Sequence, residues 1–223
     1  MGRNRLASPP WPALLYHSRQ YFRGRPPSFL EPYPLHPRSV LFRREPDWRA
    51  SPRVHAPCAI HSWLAESASL TARLRRTAGS GVGVQLLDQG FCKPFAGESA
   101  LLGMPTRRHA LVREVLLRGE GGPLVLARTV IPAQALRGEH CGLARLGNRP
   151  LGEVLFAQRG LKRTRLDFAK LNPADWQPAV AQEYGLEGPV WGRRSLYTLG
   201  GVSLLVCEFF LPAVLSLAEF CNG

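Results

Sequence analysis

The chain has 223 residues, 45% of them hydrophobic, and a formal net charge of +13. That is enough apolar material for one folded core or two small ones, so a chain without a packed interior is excluded. A membrane-spanning helix is excluded as well: it needs roughly 20 apolar residues, and the longest such run, Val202 to Leu217, is broken by Glu208 and Pro212.

The positive charge is uneven. Residues 1–57 hold ten arginines against Glu31, Glu45 and Asp47, a net +7, and the remaining 166 residues hold +6. The high charge therefore does not mark the folded part as a nucleic-acid binder, and no nucleic-acid partner is expected. The same stretch carries eleven prolines, which stop helices and central strands. It reads as a disordered extension, 1–57, ahead of a folded domain, 58–223. A basic arm for RNA or acidic lipid and an organellar transit peptide are alternatives. An upstream start codon chosen in error is another. Removing 1–57 is expected to leave function untouched. Cys58, Cys92, Cys141, Cys207 and Cys221 are odd in number and contain no CxxC pair. That pattern suits neither a disulfide framework nor a zinc site, and a reducing cytoplasm is expected.

From Ala59 the texture changes. Ile60 to Arg76 reads as short helical turns. Val82 to Gln89 is a first strand, His109 to Arg118 a second, and Gly119 to Gly122 a hairpin into a third, Leu124 to Ile131. Ala133 to Leu146 reads as helix, closed by Gly147. A short helix follows at Arg149-Pro150, with Asn148 suited to cap it. Leu161 to Phe168 is a fourth strand. Asn172 to Gly188 is a connection with a helix around Ala179 to Tyr184. Val190 to Leu199 and Val202 to Leu211 are the last two strands, joined at Gly200-Gly201. Six strands grouped as hairpins, with a few helices, predict an α+β domain on an antiparallel sheet.

Three charges stand in apolar rows. Alternate residues of a strand share a face, so Arg113 lies with Leu111, Val115 and Leu117. Arg128 lies with Leu124, Leu126 and Val130, and Glu208 lies with Val202, Leu204, Val206 and Phe210. A buried charge must be paired or must serve a ligand. One reading is a buried Arg–Glu salt bridge. The other is a pocket in which two arginines and one glutamate leave a net positive charge for a carboxylic acid, which the guanidinium fork matches. A helix beginning near Leu151 would add free backbone N–H groups. There is no Walker loop, dinucleotide fingerprint, HExxH or GxSxG motif. His61, His109 and His140 lack metal-ligand spacing, so no metal and no cofactor are expected.

Five ordered segments, LVREVLL (111–117), ARTVIP (127–132), LGNRPLGEVLF (146–156), WGRRS (191–195) and EFFLP (208–212), together resemble the chorismate pyruvate-lyase family of ubiquinone biosynthesis. The resemblance runs from about Ala59 to Ala213. It implies an antiparallel sheet with helical flaps enclosing an internal pocket, and cofactor-free conversion of chorismate to 4-hydroxybenzoate and pyruvate. It implies Arg113 and the Leu151 N–H on the ring carboxylate, and Arg128 on the enolpyruvyl carboxylate. It further implies Glu208 on the ring hydroxyl and Leu70 in a flap over the ligand. A cytoplasmic monomer follows from the same resemblance. The alternative is a non-catalytic sensor-like domain for a small aromatic acid. Such domains follow a helix-turn-helix, for which residues 1–57 show no helices.

Overall fold

The computed structural model describes residues 38–50, 56–136 and 138–219. Its six strands are β1 (Gly83–Cys92), β2 (Ala110–Gly119), β3 (Gly122–Pro132), β4 (Lys162–Leu171), β5 (Val190–Leu199) and β6 (Val202–Phe210). They form one sheet in the order β1-β2-β3-β6-β5-β4, with every neighbouring pair antiparallel. The expected α+β class and strand number hold, because the hairpin turns and apolar alternation act locally.

Both faces of the sheet are covered. On one face lie α1 (Cys58–Ala65), α2 (Leu70–Ala78), α4 (Leu151–Phe156) and α6 (Pro212–Glu219). Ser69 starts α2 by accepting the Ala72 N–H at 3.3 Å. Leu70 and Leu74 then share a buried stripe with Trp63 and Val214 over Val125 and Phe210. The opposite face is covered by α3 (Ala96–Leu101), α5 (Pro178–Glu183) and residues 38–50. There Leu41 and Phe42 pack with Trp176 against Leu126 and Phe209. Burying both faces explains why the central strands are apolar in both rows. No helix among the described residues is long and apolar enough to cross a membrane.

Four expectations change. The folded part begins before residue 58, because Leu41 is fully buried and Arg49 and Phe168 exchange backbone hydrogen bonds of 2.8 Å. Residues 1–37 lie outside the described residues. Ala133 to Leu146 forms 3-10 turns (Ala133–Leu136 and Gly138–Arg145) where a helix was expected, since Gly138 and Gly142 disfavour a continuous α-helix. Asn148 does not cap α4; its Oδ1 accepts the Leu86 N–H at the outer strand β1, and Pro150 occupies the cap position. Helices α3 and α6 are short elements with no counterpart among the expected ones.

Candidate active site

The register of the β2–β3 hairpin decides which charges meet. Gly119 faces Gly122 and Arg118 faces Pro123, but Leu117 faces Val125, so Leu124 is an extra residue on β3. Such a bulge moves the rest of the strand by one position and reverses the face of every later side chain. Arg113 therefore pairs with Thr129, and Arg128 pairs with Glu114 on the other face. Across β3, Ala127 pairs with Glu208, which pairs in turn with Arg193 of β5. Arg113, Glu208 and Arg193 thus share one face, and Arg128 does not.

On that face is a cavity whose non-atom space, with the open solvent at its mouth included, is about 550 Å³. Its floor is the sheet, with Val115, Ala127, Thr129 and Val206 between the charged groups. Its roof comes from two places: Ala68, Leu70 and Thr71 at the start of α2, and Pro150 to Gly152 with Leu155 and Phe156 of α4. The two roof pieces approach closely at Gly152, where a β-carbon would stand 3.0 Å from the Ser69 Oγ. Phe156, at 38% exposure the one large apolar side chain exposed among the described residues, meets the Tyr197 ring edge-on at 5.9 Å. Burial and the Glu208 carboxylate push the Tyr197 phenol up, so it stays protonated.

Arg113 is 2% exposed. Its Nη2 donates to the carbonyls of Gly147 at 2.9 Å and Arg149 at 3.0 Å. Gly147 adopts φ +54, which a β-carbon would strain, and this turn presents the carbonyls ahead of α4. The buried Nε has no partner, and no carboxylate among the described residues pairs with the guanidinium. Burial pushes it down to about 10, so it remains a cation at neutral pH. A buried cation held only by neutral carbonyls is stabilised by an arriving anion.

At the other end of the cavity Glu208 Oε2 accepts Arg193 Nε at 2.6 Å. Its Oε1 makes no hydrogen bond among the described residues. The Arg193 Nη1 donates to the backbone carbonyls of Trp63, Leu64 and Glu66 at 3.1, 3.4 and 2.6 Å. These carbonyls end α1, where the helix presents its unsatisfied oxygens. Glu66 O also accepts Arg163 Nη1 at 2.7 Å, so the start of the flap is tied to the sheet by two arginines.

Arg128 is a correction to the expected pocket. Its Nε and Nη2 grip Glu98 at 2.7 and 2.9 Å, and its Nη1 donates to Glu114 and to the Arg38 carbonyl, both at 2.8 Å. Glu114 also accepts Ser39 Oγ and the Val40 N–H, each at 2.6 Å. Arg128 thus belongs to a buried salt-bridge cluster with Glu98 and Glu114, not with Glu208, and Arg113 lines the cavity. Leu70 and Leu151 both line the cavity.

Three partners escaped the sequence reading. Glu98 stands in α3, a helix that was not expected, Glu114 in the second row of β2 and Arg193 beside Arg194 in β5. Consecutive arginines resemble an exposed segment, yet they alternate faces and both are buried, Arg194 on Asp167 at 2.7 Å. The signal for Arg193 was weaker than the one that marked Arg113: its row, Trp191, Arg193, Ser195, Tyr197, is flanked by aromatics but also holds a serine.

The profile of the family described as chorismate lyase matches residues 43–219. A probable chorismate pyruvate-lyase of Methylococcus capsulatus is 52% identical over 160 residues, covering 72% of this chain and 99% of the relative. One from Methylobacillus flagellatus is 42% identical, covering 70% of this chain and 88% of the relative. Among solved structures, the effector domain of PhnF from Mycobacterium smegmatis aligns with 67% of this chain and 90% of its own, at 16% identity and a TM-score of 0.46.

Proposed function

Because the chain belongs to the chorismate lyase family, we propose that this cavity is where it converts chorismate to 4-hydroxybenzoate and pyruvate, the first committed step of ubiquinone biosynthesis. The observation that carries the assignment is Arg113: a buried guanidinium that lines the cavity and has no carboxylate partner among the described residues. Arg113 takes the ring carboxylate, helped by the N–H of Leu151 in the first turn of α4, where helical N–H groups lack intrahelical partners. Glu208 Oε1 accepts the hydrogen of the ring hydroxyl. Leu70 covers the ring from the flap.

The spacing suits a six-membered ring with a carboxylate and a hydroxyl at opposite ends. Arg113 sits beside Thr129 and Glu208 beside Ala127, one strand either side of β3. Two strand spacings and two residues place their Cα atoms about 12 Å apart, and both side chains reach inward. In the reaction the ether C–O bond to the ring breaks and its electrons stay with the enolpyruvyl oxygen. The proton on the hydroxyl-bearing ring carbon leaves, and one proton is delivered to the methylene carbon, giving the pyruvate methyl group. The ring becomes aromatic, so the step is strongly downhill. The protein's task is to hold one conformer and stabilise shifting charge in a dry site.

The working unit is proposed to be a monomer, as the family resemblance implies. The described cysteines, Cys58, Cys92, Cys141 and Cys207, are free thiols, in keeping with a reducing cytoplasm. The test is to mix purified protein with chorismate, without metal or nucleotide, and follow both products. Equal amounts of 4-hydroxybenzoate and pyruvate are expected; no turnover above the spontaneous rate overturns the reading. Glu208→Gln lowers kcat at least about ten-fold, the weight of a hydrogen bond to a charged group.

A further inference from the structure

Chorismate carries two carboxylates, and the arginine expected for the second, Arg128, is on the wrong face of the sheet, saturated by Glu98 and Glu114. Building on the assignment of Arg113 and Glu208 above, we infer that Arg193 binds the enolpyruvyl carboxylate of the substrate, through its Nη2.

The substrate's connectivity sets the location. With the ring carboxylate on Arg113 and the hydroxyl on Glu208, the enolpyruvyl ether sits on the ring carbon next to the hydroxyl. Its carboxylate therefore falls at the Glu208 end of the cavity. The cation lining that end is Arg193, 1% exposed and in contact with Glu208. Its guanidinium is already oriented. Nε is held by the Glu208 carboxylate and Nη1 by three carbonyls at the end of α1, while Nη2 makes no hydrogen bond among the described residues. A planar group anchored on two nitrogens presents the third in a set direction, which limits the rotamer entropy lost on binding. Placing a cation between Glu208 and the incoming carboxylate also removes the repulsion that two adjacent anions would suffer. The same residue ties the α1–α2 flap to the sheet, so the second carboxylate is bound where the roof is anchored.

The inference separates two ligands that otherwise share a site. Chorismate has the second carboxylate, and 4-hydroxybenzoate does not. Arg193 should matter for the first far more than for the second, whereas Arg113 should matter for both. The experiment compares wild type with Arg193→Lys and Arg193→Gln. It measures kcat/KM for chorismate and the inhibition constants of 4-hydroxybenzoate and of 3-(carboxymethoxy)-4-hydroxybenzoate, an aromatic mimic with the second carboxylate restored. Wild type is expected to bind the dianionic mimic at least about ten-fold tighter than 4-hydroxybenzoate, and both variants lose that preference. In both variants chorismate kcat/KM falls about 10- to 100-fold, the range for a hydrogen bond between charged groups, with 4-hydroxybenzoate inhibition within a few-fold of wild type. Equal weakening of all ligands would leave Arg193 a structural tie only and overturn the inference, and so would a wild type that does not prefer the dianion. Should both single variants fail to fold, Arg193→Gln is placed on Glu208→Gln, which removes the stranded partner charge. Against Glu208→Gln alone, the double variant must still lose the dianion preference. A protein that neither turns over chorismate nor binds 4-hydroxybenzoate would instead defeat the site assignment itself.

Discussion

Arg113 and Arg128 come from neighbouring strands, are almost equally buried, and differ in what they face. Arg128 compensates Glu98 and Glu114; Arg113 compensates no acid among the described residues. Their removal should therefore have opposite signatures. Arg128→Met leaves two glutamates buried without a cation and is expected to cost about 3–5 kcal/mol of stability. Arg113→Met strands only two carbonyls and relieves a buried unpaired charge. It should unfold at a temperature close to wild type while losing about 10- to 100-fold in kcat/KM. Thermal melts beside steady-state kinetics check both. Comparable destabilisation by the two substitutions would mean that Arg113 is a structural ion after all.

The roof is built from two elements that touch at one glycine. Gly152 of α4 lies against Ser69 at the start of α2, with room for little more than a hydrogen. Gly152→Val should push α2 away from α4 and loosen the cover over the ring. The expected result is a higher KM and weaker inhibition by 4-hydroxybenzoate, with the sheet unaffected, because lids of this kind commonly govern product release. Stopped-flow measurement of 4-hydroxybenzoate release against wild type decides it; an unchanged release rate would show that the two pieces do not move as a lid. Arg73 stiffens the other arm of the roof, stacking at 3.9 Å over the Trp63 ring and donating to Ser62.

At the scale of the molecule, residues 38–50 belong to the domain. They run across the face opposite the cavity, where Ser39 and Val40 serve Glu114 and the Arg38 carbonyl receives Arg128. Deleting residues 1–37 should leave melting temperature and turnover near wild type. Deleting 1–57 also removes the buried Leu41 and Phe42, each contributing on the order of 1.5–3 kcal/mol, and takes two donors from Glu114. A large fall in melting temperature is expected for the second truncation only. Equal stability of the two would return the domain boundary to residue 58.

Alternation, turn residues and the oddity of charge in apolar rows are local properties. They determined the six strands and the antiparallel α+β class, and they singled out Arg113 and Glu208, which both line the cavity; Leu70 is reached only through the family resemblance, and Leu151 through that resemblance and the helix start. Composition misjudged residues 38–50, since proline and arginine hide a segment whose Leu41 and Phe42 pack only once the sheet exists. The tertiary structure alone decided which side of the sheet each charge faces. One extra residue at Leu124 moves Arg128 from the cavity to a buried salt-bridge cluster, because side chains alternate with a period of two and a single-residue shift inverts them all. It likewise decided that Arg193, on the strand beside β6, stands against Glu208, a neighbourhood that the β5–β6 register creates and that no single-strand pattern contains.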